Sequence, residues 1–407
     1  MRGSVNNPIL TLKNNRNKKI LYNLNRLFFI LFPFNILFIK IISVPQVTFW
    51  KEFVILTNLF VVLFSSKDFF LKKYIFIVFI TLLIDLFLNR FSFDHVFWLS
   101  TGLPVFNYFK QVNRKHFDID LCLIIILMCL GAFWIFFFES RGNYSYFFVA
   151  EKEEFTLLRG DTLRMRYCFV SPMALSQFSW FTLVCVTTNQ RYNKIFKIIA
   201  TLLIGYVLIV ANTRAGYLLL GVSILMFVYS YFCKANKWIV FCFILLGCII
   251  IIDQLLVNSV AESETSLSDA LRFVRIQNGI TSIKVNWLFG MGGEFFSPRS
   301  QYFTNISNFE NSWLSLIYSF GTLGILLIFI IVNRLGGNIS SNNYNFLCLS
   351  IAWLLYSILF PILQEATSIY ITWCIIAFSC HFKKFEYFSL KSTRGKTRFN
   401  MYYNLKY

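Results

Sequence analysis

Residues 202–227 read LLIGYVLIVANTRAGYLLLGVSILMF. The stretch is apolar almost throughout, yet Asn212, Thr213 and Arg214 stand together near its centre. An arginine at the middle of a bilayer costs at least about 2.5 kcal/mol. Either this is one membrane segment with a charge inside it, or two segments that meet at a surface. The choice decides the fold, and the rest of the chain makes it.

The chain has 407 residues, of which 57% are hydrophobic and 14% charged, with 50 phenylalanines. A soluble protein of this size needs far more charge to cover its surface. The apolar residues fall in runs of about 17–20, separated by short polar stretches, and runs of that length match the hydrocarbon thickness. The expected fold is an all-α polytopic membrane protein, one integral domain over 1–407. Spans are expected near 27–44, 52–66, 73–90, 94–110, 119–138, 167–188, 195–211, 214–232, 238–253, 313–333, 344–361 and 366–382. Twelve spans put both termini on one side, with tails over 1–26 and 383–407. The positive-inside rule then orients the chain. Every second loop is basic: Lys67, Lys72 and Lys73, then Lys110, Arg114 and Lys115, then Arg191, Lys194 and Lys197, then Lys234 and Lys237, beside two basic tails. Residues 202–227 are therefore two helices, and Arg214 sits at their outer turn.

The net charge of +19 mostly reflects this topology and contact with anionic lipid. No fold signal for nucleic-acid binding accompanies it. The ten cysteines lie in or beside apolar runs and read as buried thiols. His95, His116 and His381 are far apart and show no zinc-like spacing, so neither a metal nor a cofactor is expected.

Two long loops face outward, 139–166 and 254–312. On this topology the inner side holds 17 Lys and 8 Arg and the outer side 3 Lys and 9 Arg, with Lys40 inside the first span. The outer arginines are Arg90, Arg141, Arg159, Arg164, Arg166, Arg214, Arg272, Arg275 and Arg299. A guanidinium suits bidentate phosphate binding, whereas an ammonium is only a charge. The bias points to a phosphorylated ligand at the outer leaflet; the bland alternative is solvated or snorkelling arginine. Within the long loop, SLSDALRFVRIQNGITSIKVNWLFGMGGEFF (266–296) predicts an amphipathic helix at the membrane surface. Ser266 or Ser268 caps it. Phe273, Ile276, Ile280 and Ile283 share one face, and Arg272 and Arg275 share another. Gly290, Gly292 and Gly293 follow as a turn where backbone can approach a ligand. Glu310 and Asn311 stand just before the next span. Glu310 is either a general base for a sugar hydroxyl or a residue that orients an arginine or caps a helix.

Four stretches in this order resemble the O-antigen polymerase and O-antigen ligase superfamily: RMRYCFVSPMALSQ (164–177), NTRAGYLLL (212–220), RFVRIQNGITSIKVNWLFGMGGEFF (272–296) and ENSWLSLIYSFGTLG (310–324). The resemblance covers the second half and the overall topology. It implies a bacterial inner-membrane glycosyltransferase that handles undecaprenyl-diphosphate-linked sugars at the periplasmic face. It implies a chain-length regulator as a further partner, beside membrane lipid. Arg214 and Arg275, then Arg166 and Arg272, with Arg164 close by, are the expected diphosphate contacts, supported by Asn311, Gly290 and Gly292. Ligases commonly carry a histidine just before the Asn of the last stretch. Here Glu310 takes that place, which favours the polymerase. The implied reaction moves the growing glycan from its lipid diphosphate to a new lipid-linked repeat unit. The alternatives are a ligase that transfers glycan to lipid A-core and, from another class, a flippase. A flippase should carry ionisable residues deep in several spans, of which Asp85 is the clearest here.

Overall fold

A computed structural model of the chain describes residues 8–35, 49–65, 68–88, 94–138, 140, 158–159, 162–163, 165–169, 171–189, 191–232, 274, 277, 279–281, 283–284, 286–293, 311–336, 344–359, 363 and 365–381. The expected span 238–253, Glu310, Arg164, Arg272, Arg275, most of both outer loops and the tail 383–407 lie outside these residues.

The described chain is helical apart from one two-residue hairpin. In order it forms α1 (Pro8–Leu31), a 3-10 turn (Phe32–Phe34), α2 (Trp50–Ser65), α3 (Phe69–Phe87), α4 (Asp94–Ser100), α5 (Leu103–Gln111), α6 (Arg114–Phe137), β1 (Leu158–Arg159), β2 (Thr162–Leu163), α7 (Pro172–Thr188), α8 (Lys194–Val210), α9 (Arg214–Phe232), α10 (Ser312–Phe320), α11 (Thr322–Gly336), α12 (Tyr344–Leu359) and α13 (Ala366–Cys380). The hairpin pairs Leu158 with Leu163 and Arg159 with Thr162 in antiparallel register. It is a small departure from the all-α expectation.

Polar residues between apolar runs start these helices by capping their free N–H groups. Asp68 accepts from Phe70 and Leu71, Asn113 from His116, Ser171 from Ala174, Asn193 from Ile195, and Asn311 from Trp313 and Leu314. Pro172 stands in the first turn of α7, where its missing N–H costs nothing. Residues 202–227 are indeed two helices, parted by the turn 211–213.

Two expected spans are interrupted, and the start of the chain carries structure of its own. The N-terminal tail is helical from Pro8, and its end is packed into the protein. Asn25 is fully buried and accepts from Asn58 at 2.7 Å, while Arg26 grips Asp120 through three contacts of 2.7–2.9 Å. The expected span 94–110 is two short helices parted at Thr101–Gly102, with Pro104 in the first turn of the second; at Gly102 the indole of Trp373 fills the place a side chain would take. The expected span 313–333 breaks at Gly321, whose φ of 55° is one that only glycine adopts freely.

Among the described residues one helix, Arg114–Phe137, is both long and apolar enough to cross a membrane, with shorter apolar helices at Arg214–Met226, Thr322–Gly336, Cys348–Ile358 and Ala366–Cys380. On α6 a buried stripe through Leu121, Ile125, Met128 and Ile135 is matched by an exposed one through Ile119, Leu123, Ile126, Leu130 and Phe133. Exposed apolar stripes recur on α2, α3, α8 and α11. A helix apolar all round belongs in a protein core or in lipid, and outward-facing stripes on several helices fit lipid.

α7 packs between α8, α9 and α13, α9 against α12, α13 against α5 and α11, and α6 against α8. Rings fill the centre: Trp180 stacks on Trp353 at 5.7 Å and Phe29 on Tyr108 at 4.5 Å. One end of the bundle is tied by charge. Besides Arg26–Asp120, Arg191 meets Asp118 at 2.7 Å, and Tyr192 donates to the Asp118 carbonyl. The opposite end is built from turns and hydroxyls.

Candidate functional site

At that opposite end the segment 165–169 enters α7, and the Met165 N–H donates to Val210 O at 3.2 Å. This bond ties the segment to the last residue of α8. It brings Arg166, the next residue, and Arg214, four residues past Val210, to one end of the bundle. Arg166 is 3% exposed, while Arg214 is partly exposed as the first residue of α9. Both turns are left-handed at a non-glycine, with φ 50° at Tyr167 and 44° at Asn212. Bulky residues rarely adopt such backbone, and the Tyr167 ring lies against Gly131 of α6, where no side chain competes.

The Arg-x-Gly turn has a packing logic. Thr213 Oγ1 accepts from the Gly216 N–H at 3.1 Å and donates to Ser176 Oγ at 2.7 Å. A Cβ on Gly216 would meet Ser176 Cβ at 2.8 Å, so glycine lets α9 close on α7. Arg214 is held at the start of a helix locked to its neighbour.

The glycine turn sits at the Gly321 break. Met291 N–H donates to Tyr318 O at 2.8 Å, Gly292 N–H to Ser319 O at 2.9 Å, and Gly290 N–H to Asn286 O at 2.8 Å. Thr322 returns two bonds to Leu288 O, from its N–H at 3.2 Å and its hydroxyl at 2.9 Å. Gly293 N–H donates to Asp85 Oδ2 at 2.8 Å, and His95 Nδ1 lies 3.8 Å from the same oxygen. The close backbone approach expected of Gly290 and Gly292 is thus made to the α10–α11 break, and their N–H groups are spent inside the protein. Asp85, the ionisable residue expected deep in a span, anchors this turn. Upstream, residues 274, 277, 279–281 and 283–284 are helical, as the amphipathic pattern predicts.

Asn311 is also engaged internally. Its Oδ1 caps α10, and its Nδ2 donates to Ile358 O. Ser312 Oγ accepts from the Leu363 N–H at 2.8 Å, so the start of α10 and the link between α12 and α13 are joined.

Glu365, in that link, was not singled out by sequence. It precedes α13 and keeps part of its surface open. Ser171 donates to its Oε1 at 2.8 Å, and Ser368 Oγ lies 3.3 Å from its Oε2. Burial pushes its carboxyl above the usual carboxylate range, against the smaller opposing pull of the two hydroxyls. Behind it, Ser368 Oγ lies 2.6 Å from Gln177 Oε1, and Gln177 donates in turn to the Tyr356 hydroxyl. No local motif marks Glu365, because its first partner is 194 residues away. The only local signal is an acidic residue in a short link between apolar runs.

Residues 199–329 match the O-antigen ligase family. The match supports membership of the O-antigen ligase and polymerase superfamily, whose members are integral membrane proteins and glycosyltransferase-like enzymes acting on lipid-linked glycans. The matched range takes in the Arg214 turn, the glycine turn and the α10–α11 break. Arg166 and Glu365 fall outside it. No curated protein matches the chain.

Proposed function

We propose that this protein is an O-antigen polymerase. It joins lipid-linked repeat units at the outer face of the bacterial inner membrane, with both chain termini in the cytoplasm. The growing glycan on undecaprenyl diphosphate is the donor. A hydroxyl on the non-reducing sugar of a new repeat unit is the acceptor, and undecaprenyl diphosphate leaves.

The observation that carries this reading is the tie between Met165 and Val210, which gathers Arg166 and Arg214 at one end of the bundle. α7, α9, α10 and α13 all begin near that end, through the contacts of Ser171 with Glu365 and of Ser312 with Leu363. Helix N-termini carry the positive ends of their dipoles and favour anions. Guanidinium groups held in place before the reaction stabilise charge that develops on a leaving diphosphate. Arg275 and Arg272, on the long outer loop, are proposed to complete the grip, with Arg164 beside Arg166. The same end holds hydroxyls, amides and a carboxyl suited to sugar contacts.

A second reading, equally compatible with the family match, is a ligase that passes finished glycan to lipid A-core. One experiment tests both: the lipopolysaccharide ladder of a deletion strain. A single capped repeat marks loss of a polymerase, and loss of all capping marks loss of a ligase. An unchanged ladder refutes both.

A further inference from the structure

Glu365 stands at the head of a chain of polar groups whose protons can be counted. Ser368 has one hydroxyl proton and two acceptors in reach, Gln177 Oε1 at 2.6 Å and Glu365 Oε2 at 3.3 Å. Gln177 directs its amide N–H to Tyr356, so its oxygen faces Ser368. The short contact takes the Ser368 proton. The contact with Glu365 Oε2 is then a second acceptor for the same hydroxyl. With a protonated carboxyl the same groups can order as Glu365 to Ser368, Ser368 to Gln177 and Gln177 to Tyr356.

The same heavy atoms support the opposite polarity. If the Gln177 amide turns over, Tyr356 donates to its oxygen, its N–H donates to Ser368, and Ser368 donates to an ionised Glu365. An amide swaps donor and acceptor in nearly the same positions, and hydroxyls rotate. Ser171 donates to Oε1 in both states, while its own oxygen accepts from the Ala174 N–H at 3.0 Å. Every group stays satisfied whether or not the proton is present, which an enclosed carboxyl needs if it is to change charge during a reaction. Among the described residues, Ser171 at the cap of α7 and Ser368 from α13 contact Glu365, with Gln177 of α7 and Tyr356 of α12 behind Ser368. Among the described residues only hydroxyls, not charges, oppose the effect of burial on its carboxyl.

We propose that Glu365 is the proton acceptor of the transfer reaction, and that the Ser368–Gln177–Tyr356 chain serves it in both of its protonation states. This rests on the glycosyl-transfer reading above. The acceptor hydroxyl gives its proton to the Glu365 carboxylate as its oxygen bonds to the anomeric carbon. The diphosphate leaves with the electron pair of the broken bond, and the carboxyl later releases its proton to water. A base works best with an affinity for protons matched to the working pH, and burial moves Glu365 that way. Glu365 as a residue is partly exposed, whereas Tyr356 is fully buried.

The test uses the full chain in proteoliposomes with lipid-diphosphate-linked repeat units from the producing strain. Glu365→Gln keeps the size and the hydrogen bonds of the protonated form, so it folds, yet it is expected to slow transfer at least tenfold at every pH. Glu365→Asp is expected to keep a measurable share. In the wild type the rate should fall with acidity, with its midpoint above the ordinary carboxylate value of about 4.3. Infrared difference spectra should show a protonated-carboxyl band that Glu365→Gln removes. Thermal stability should fall as pH rises from the ordinary range through the raised value, because the fold favours the protonated form. That slope should vanish in Glu365→Gln. Wild-type rate and pH profile in Glu365→Gln would overturn the assignment. Slower transfer by Arg214→Lys in the same assay shows that the function reading stands independently. If the wild type builds no polymer, the function reading fails. The carboxyl band then still decides for or against the protonation chain.

Discussion

Replacing Gly290 with alanine tests whether docking of the glycine turn supports activity. Gly290 has φ 72°, and a left-handed conformation costs an L-residue about 1–2 kcal/mol. A Cβ there would lie 2.6 Å from Phe320 N and closer still to the Ser319 carbonyl. These are backbone atoms of the α10–α11 break and cannot rotate away. The turn must withdraw, which weakens the bonds from Met291 to Tyr318 and from Gly292 to Ser319, now 2.8 and 2.9 Å. Each is worth about 1 kcal/mol. The total of about 3–4 kcal/mol lowers the docked-to-undocked ratio by about two to three powers of ten. Arg272 and Arg275 lie on the segment leading into this turn, so undocking should release them from the site. The expected result is normal protein in the membrane with shortened or absent polymer, read from glycan ladders normalised to membrane-inserted protein. Gly205→Ala and Gly221→Ala are the controls. No heavy atom stands within 4 Å of a Cβ at either position, and a helical alanine is favoured by about 0.5–1 kcal/mol. Full-length polymer from Gly290→Ala at the wild-type rate would refute the reasoning.

Other outcomes follow from the same geometry. Arg214→Lys and Arg275→Lys keep the charge but lose the planar fork, and each should slow polymerisation about tenfold to a hundredfold. Arg141→Lys should not, and equal activity in all three would reduce the outer arginines to solvated charges. Asp120→Asn removes a buried partner from Arg26, whose side chain is 33% exposed. It should cost about 2–3 kcal/mol, a buried-pair loss discounted for that exposure. Membrane levels should drop while polymer length per surviving molecule stays unchanged. Reporter fusions at Asn143 and Ser307 should read periplasmic, and those at Lys115 and Lys237 cytoplasmic. A cytoplasmic Ser307 would put Glu310 in the wrong compartment.

Sequence reads best where a local rule is enough. The polar Asn212–Thr213–Arg214 group parts α8 from α9 because a helix start there needs a cap and a charge needs a surface. It reads worst where a distant partner decides. Gly102 and Gly321 look like ordinary residues of apolar spans, yet each has a distant partner where a side chain would stand. For Gly102 it is the Trp373 ring, and for Gly321 the Trp287 and Leu288 carbonyls. The polar first helix has no apolar stripe over its early residues, so it reads as a tail until Asn58 and Asp120 take hold of its end. The count of twelve spans remains an inference from hydropathy and charge. The arginines show the same divide. Chain order placed Arg166 and Arg214 on one side of a membrane, but only the Met165–Val210 bond places them at a common junction. Glu365 had no signal of this kind at all.

The two ends of the bundle are built from different interactions, and the difference bears on function. One end is fastened by Arg26 on Asp120 and Arg191 on Asp118, with Tyr108 donating to Asp120 at 2.6 Å. At the other end, Tyr167 and Asn212 are the non-glycine residues with positive φ among those described. Each stands within two residues of a candidate arginine. Strained residues of this kind cost about 1–3 kcal/mol and persist only where packing over-determines them; asparagine tolerates the region better than tyrosine. Tyr167 is held by its contact with Gly131 and by the neighbouring bond to Val210. Asn212 stands between α8 and α9, next to Thr213, whose hydroxyl is bonded to Ser176 of α7. Relaxing either turn would re-aim the arginine beside it. The fold therefore spends stability at the end where a ligand is proposed to bind, and places its charge pairs at the opposite end.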